Sequence, residues 1–102
     1  MSEADELWGK RLKQARQAAN LSQKALGINA GIDEFVASTR INRYERGIHK
    51  PDLLTVRKLA EVLKVPVAFF YSDTDDEIAD LLLIYARAET EAKRQVRELL
   101  RE

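Results

Sequence analysis

Residues 37–47 read ASTRINRYERG. Ile41 and Tyr44 are its two large apolar anchors, three positions apart, and every other side chain from Ser38 to Arg46 is polar or basic. The spacing suits one face of a helix. The outward face is then either ordinary solvated surface or a face shaped for the groove of a nucleic acid. The rest of the chain offers little competing chemistry. One histidine, His49, and no cysteine rule out a two-histidine or thiolate metal site and leave few nucleophile–base pairs. No glycine-rich phosphate loop is present. The acidic run at Asp73, Asp75, Asp76 and Glu77 lacks the spacing of a calcium loop and suits helix N-caps instead. Neither a catalytic residue, a cofactor nor a metal is expected.

Composition sets the frame for that helix. The chain of 102 residues is 45% apolar and 33% charged, enough for one globular domain with a modest core. Its start, MSEADELWGK, has no basic stretch followed by an apolar one, so it does not read as a signal peptide. The longest apolar run, Ile78–Ala86, is broken by Asp80 and is far short of a membrane span. A soluble, cytoplasmic protein without a membrane partner is expected. The net charge of zero hides a division. Residues 1–72 carry 12 Lys and Arg against 8 Asp and Glu, whereas residues 73–102 carry 5 against 9. Within Leu7–Lys50 the count is 9 against 3. A basic N-terminal half suggests a polyanionic partner.

Helical periodicity dominates and strand alternation is absent, so the fold class is all-α. Helix one is expected over Asp5–Ala19, with Trp8, Leu12, Ala15 and Ala19 inward and Asn20 as a left-handed stop. Ser22 caps helix two, Gln23–Ala30, which buries Leu26. Helix three ends before Gly47. It begins at Ala37 or Ser38, or else at Asp33, and points Val36, Ile41 and Tyr44 inward. Helix four spans Leu53–Leu63 behind Pro51-Asp52, and Pro66 opens a short helix five, Pro66–Tyr71. After a polar, acidic linker at 72–76, residues 77–101 form an amphipathic helix. It is one piece, or it breaks near Glu89-Thr90 with Thr90 as a new N-cap.

The motifs along these helices are Leu21-Ser22-Gln23, Ala30-Gly31-Ile32, Tyr44-Glu45-Arg46-Gly47 and Leu59-Ala60-x-x-Leu63-x-Val65. In that order and spacing they resemble the Cro/phage-repressor (XRE-type) helix-turn-helix family over roughly Leu7–Tyr71. Gly27 lets helix three approach helix two, and Gly31 permits a turn with positive φ. One departure stands out. Ile32-Asp33-Glu34-Phe35 looks like an insertion that lengthens either the turn or the recognition helix.

The resemblance implies a five-helix DNA-binding domain, residues 1–72, with helix three in the major groove. Matched from Ile41, its base-contact positions are Ser38, Thr39 and Arg43, with Asn42 beside them. Arg43 suits a guanine edge, Asn42 an adenine edge, and Thr39 a thymine methyl. Ser22 and Gln23 sit at a helix N-terminus that favours phosphate, and Arg46 and Lys50 flank the loop after helix three. Arg40 joins this backbone set if the helix start allows it. Arg16 and Glu45 correspond to a structural ion pair of the family. Trp8, Phe69, Phe70 and Tyr71 cluster with aliphatic residues and read as core or pairing contacts, and His49 as a solvated loop side chain.

The expected function is a sequence-specific regulator, a repressor or autoregulator, binding double-stranded DNA as a homodimer. The alternative is a protein-interaction module of the same fold without DNA binding, which Arg40, Arg43, Arg46 and Lys50 argue against. Residues 73–102 would pair two copies through Ile78, Leu82, Tyr85, Ala92, Val96 and Leu99, or fold back on their own chain.

Overall fold

Seven helical elements follow one another in the computed structural model, which describes residues 2–72 and 76–101, the side chain of Asp76 excepted. They are α1 (Glu3–Ala18), α2 (Gln23–Asn29), α3 (Ala37–Glu45), α4 (Leu53–Leu63), a 3₁₀ helix (Val67–Tyr71), α5 (Asp76–Arg87) and α6 (Thr90–Leu100). No strand occurs among the described residues. The fold is therefore all-α, a helix-turn-helix unit with a C-terminal helical extension. The acidic residues 73 and 75 and most of the expected linker lie outside the described residues.

The starts of three helices follow from short polar side chains that satisfy free N–H groups. Ser2 accepts from the amide of Asp5 at 3.1 Å, Ser22 from that of Ala25 at 2.9 Å, and Asp52 from that of Thr55 at 2.8 Å. Ser2 moves the start of α1 two residues ahead of the expected Asp5, and Glu3, Asp5 and Glu6 then lie in the positive first turn. Asn20 and Gly31 both take positive φ, 60° and 90°. Pro66 precedes the fifth element, which is a five-residue 3₁₀ helix. The break in the tail falls after Arg87, and Glu89, not Thr90, is the N-cap of α6. Glu89 makes no side-chain capping bond there.

Leu12, Leu26, Ile41, Leu59, Leu63, Phe69 and Phe70 are fully buried at the centre. Trp8 stacks on Phe70 with centroids 5.0 Å apart and meets Tyr44 edge-on at 6.5 Å. Tyr71, by contrast, is exposed. Two glycines set how closely α3 can be held. A Cβ on Gly9 would stand 2.3 Å from the carbonyl oxygen of Glu45, and one on Gly27 would stand 2.7 Å from the Cβ of Ala37. Both are far inside contact distance, so α1 and α2 grip α3 through bare backbone.

That second contact corrects the expected core. Ala37 takes the inward place at the start of α3, and Val36, expected there, is 42% exposed. The methyl of Ala37 already fills the gap over Gly27, so a branched side chain has no room. The insertion accordingly lengthens the turn. The carboxylate of Asp33 accepts from the amide of Phe35 at 2.8 Å and the Asp33 carbonyl from that of Val36 at 3.1 Å, before α3 begins at Ala37.

The tail divides its labour. α5 buries Ala79 and Leu83 in the domain core, and its Arg87 donates to the carbonyls of Ala18 (2.8 Å) and Leu63 (3.4 Å). A cation thus sits at the C-terminal ends of α1 and α4, where the helix dipoles favour one. Ile78, Leu81 and Ile84 remain exposed on α5. α6 has no buried residue, and Leu99 and Leu100 are about three-quarters exposed. The Arg97 guanidinium donates to the Tyr85 hydroxyl at 2.9 Å, and Lys93 lies 5.7 Å from the centre of that ring.

Candidate nucleic-acid interface

α3 is two-faced by its spacing. Ala37, Ile41 and Tyr44 face the core, while Ser38, Thr39, Arg40 and Arg43 are exposed and Asn42 is half-buried. Burial raises the pKa of the Tyr44 hydroxyl above its ordinary value, and nearby Arg40 offsets part of the effect. Thr39, Arg40 and Arg43 line one shallow hollow together with Val36 and His49. The helix stops where the Ile48 amide turns back to the carbonyl of Arg43 at 3.0 Å. Arg46 and Lys50 are exposed on either side of this loop. Four guanidinium or ammonium groups therefore stand around the outward end of α3.

Behind that face, Glu45 is a hub. Its carboxylate accepts from Arg16 Nε at 2.5 Å and Arg16 Nη2 at 3.1 Å, a forked pair. The Glu45 side chain is 4% exposed and that of Arg16 13%. Arg16 also donates to the Leu21 carbonyl at 2.9 Å, tying α1 to the entry of α2. Gln23 Nε2 donates to Glu45 Oε1 at 3.1 Å. Gln23 therefore has one amide hydrogen left to donate, and the Ser22 hydroxyl, already accepting from Ala25, keeps its own hydrogen to donate. The α2 N-terminus and the end of α3 are thus joined through one carboxylate.

Sequence reasoning placed Ser38, Thr39, Arg40 and Arg43 on a helix, and the structure brings all four to its outer face. Asn42 stands at the margin. The sequence reading missed Val36 and Phe35 as surface residues. The positions 36, 39, 40 and 43 carry the i, i+3, i+4, i+7 spacing that would have found Val36. Arg11 was also passed over. It is 1% exposed, and its Nε donates to the Ser72 carbonyl at 2.8 Å. No group of metal-ligating side chains occurs among the described residues, and no helix there is long and apolar enough to cross a membrane.

Residues 12–70 match the helix-turn-helix family. An uncharacterized HTH-type transcriptional regulator of Sinorhizobium fredii, y4wC, is 30% identical over 70 residues, 69% of this chain and 46% of its own length. The cryptic phage CTXphi transcriptional repressor RstR of Vibrio cholerae is 32% identical over 78 residues, 74% of this chain and 65% of RstR. The chain spans about half the length of y4wC and of several other such regulators. The crystal structure of the transcriptional regulator BswR superposes with a TM-score of 0.81 at 44% identity, over 91% of each chain.

Proposed function

Because the chain belongs to the helix-turn-helix family of Cro- and phage-repressor-like DNA-binding transcriptional regulators, we propose that it acts as a repressor or autoregulator on a two-fold operator, as a homodimer with α3 in each major groove. The observation that carries this reading is the split of α3. Its buried face is small and apolar, and its exposed face offers Ser38, Thr39 and Arg43 as base-edge donors and acceptors. Arg40, Arg46 and Lys50 then meet phosphates, with Ser22 and Gln23 at the positive end of α2. Arg16 and Glu45 hold the reading helix in place and touch no DNA.

Residues 1–72 serve as the DNA-binding domain and residues 73–102 as the pairing segment. α5 anchors that segment to its own domain, and the apolar residues left uncovered, Ile78, Leu81 and Ile84 on α5 with Leu99 and Leu100 on α6, receive the second copy. Brought together into one patch, such side chains would form an association surface. Footprinting on the DNA upstream of the protein's own gene, with mass measured in solution, tests both halves. A symmetric protected site and a dimer mass are expected. A protein that selects no sequence from a random duplex pool would instead be an interaction module that shares the fold.

A further inference from the structure

Phe35 and Val36 are large, apolar and exposed, 88% and 42%, immediately before the reading helix. The packing explains why Val36 is outside, since Ala37 against Gly27 takes the inward place at the start of α3. It does not explain why the two are apolar. Their position bears on that. Val36 is one wall of the hollow of about 170 Å³ that Thr39, Arg40, Arg43 and His49 complete. Phe35 precedes it, and Asp33 holds both amides, its carboxylate accepting from that of Phe35 and its carbonyl from that of Val36, so the turn is fixed by its own hydrogen bonds. Glu34 beside them is exposed and acidic, which disfavours phosphate at this turn.

We propose that Phe35 and Val36 are specificity residues that read thymine methyl groups at the N-terminal end of α3. The inference rests on the DNA-binding reading above. A thymine C5-methyl is the one apolar feature of the major-groove edge, and an apolar side chain is its natural partner. The cations Arg40 and Arg43 bring the duplex close, and Phe35 and Val36 reward a methyl where it meets them.

The probe is a duplex selected by the unaltered protein from a random pool, remade with deoxyuridine at each thymine in turn. Removing one methyl at one or two thymines per half-site is expected to weaken the unaltered protein about fourfold. The Phe35→Ala, Val36→Ala double variant should bind the thymine and uracil duplexes equally and keep its affinity for unrelated DNA. Both positions are exposed, so the fold is expected to survive, and the single variants Phe35→Ala and Val36→Thr check this. The proposal is overturned if methyl removal weakens protein and variant by the same factor at every thymine, if no methyl matters, or if the variant loses affinity for all DNA alike. A variant that falls to half the mass would make Phe35 a pairing contact and overturn it too. Failure of the unaltered protein to select any sequence would instead bring down the DNA-binding reading itself.

Discussion

Replacing Glu45 with alanine should remove a large share of the protein's stability. The substitution removes the acceptor of two Arg16 bonds and one Gln23 bond at once. Arg16 is 13% exposed, so its guanidinium cannot simply turn to water. Breaking such a pair from one side costs about 3–5 kcal/mol. Domains of this size have only about 5–15 kcal/mol in total. At about 4–8 °C per kcal/mol, the expected fall in Tm is about 12–40 °C. The pair itself contributes less than this, because forming it also desolvates two charges. The double variant Arg16→Met, Glu45→Leu should therefore recover much of the loss. Thermal and urea denaturation followed by helical circular dichroism measure these two variants and the single ones, Arg16→Met and Glu45→Leu. The reasoning is refuted if Glu45→Ala costs under about 1 kcal/mol, the range of a solvent-exposed pair, or if the double variant is as unstable as the two single losses added. The bonds of Arg94 to Glu91 and Glu98 on α6 are the contrast. All three side chains are about half exposed or more, and Glu91→Ala should leave the unfolding curve where it was.

The remaining expectations concern DNA, pairing and acid. Arg43→Ala should cost about 1–3 kcal/mol on the preferred site and relax the preference at one base pair; an equal loss on unrelated DNA would make Arg43 a phosphate contact. Lys50→Ala should weaken all sequences alike and reduce the slope of log K against log salt by about one per contact, and an unchanged slope removes it from the phosphate set. Ending the chain at Ala88 removes α6, which has no buried residue of its own, so the domain should keep its thermal transition while the pair dissociates at micromolar concentration. A shortened chain that stays paired would move the contact elsewhere, with exposed Ile48, Leu53 and Leu54 next to examine. The Thr55 amide, bonding to the Asp52 carboxylate, holds its pKa below the ordinary 3.8. The capping stability is therefore present above that value and is lost as pH falls through the lowered one. Asp52→Asn, which still caps, should show a smaller loss as pH falls below 3.8; parallel curves would count against the cap.

Local signals carried most of the fold. The bounds of α4 follow from Asp52 as its cap and from Val56, Leu59, Ala60 and Leu63 at helical spacing, and the structure keeps them. The start of α3 was not legible, because Asp33 and Ala37 each satisfied the local rules. The choice between them is made by the approach of Ala37 to Gly27 across a turn, a contact between two helices that no window along the chain contains. Arg11 is the stronger case. In sequence it is one more charge on helix one, and its burial depends on a carbonyl 61 residues away. Gly9 likewise looks like an ordinary weak point in a helix until the Glu45 carbonyl is found against it. Outward residues of α3 were readable from Ile41 and Tyr44 alone, because fixing the inner face fixes the outer one. Val36 escaped because it was assigned to the wrong side.

If two copies pair on a two-fold site, Arg11 and Arg87 have a consequence for it. One holds the chain at Ser72, before α5; the other holds the end of α5 to α1 and α4, with Ala79 and Leu83 seated between them. The first helix of the tail is therefore seated on its own domain by Ala79 and Leu83 and held at its end by Arg87, and works as a bracket, not a tether. In a pair joined through such brackets, the distance and angle between the two reading helices would be set at assembly and would not adapt to each DNA site. Operators would then be sorted by a ruler as well as by an alphabet. Adding one base pair between the half-sites turns one of them by about a tenth of a helical turn, and a bracketed pair could follow only by twisting the DNA.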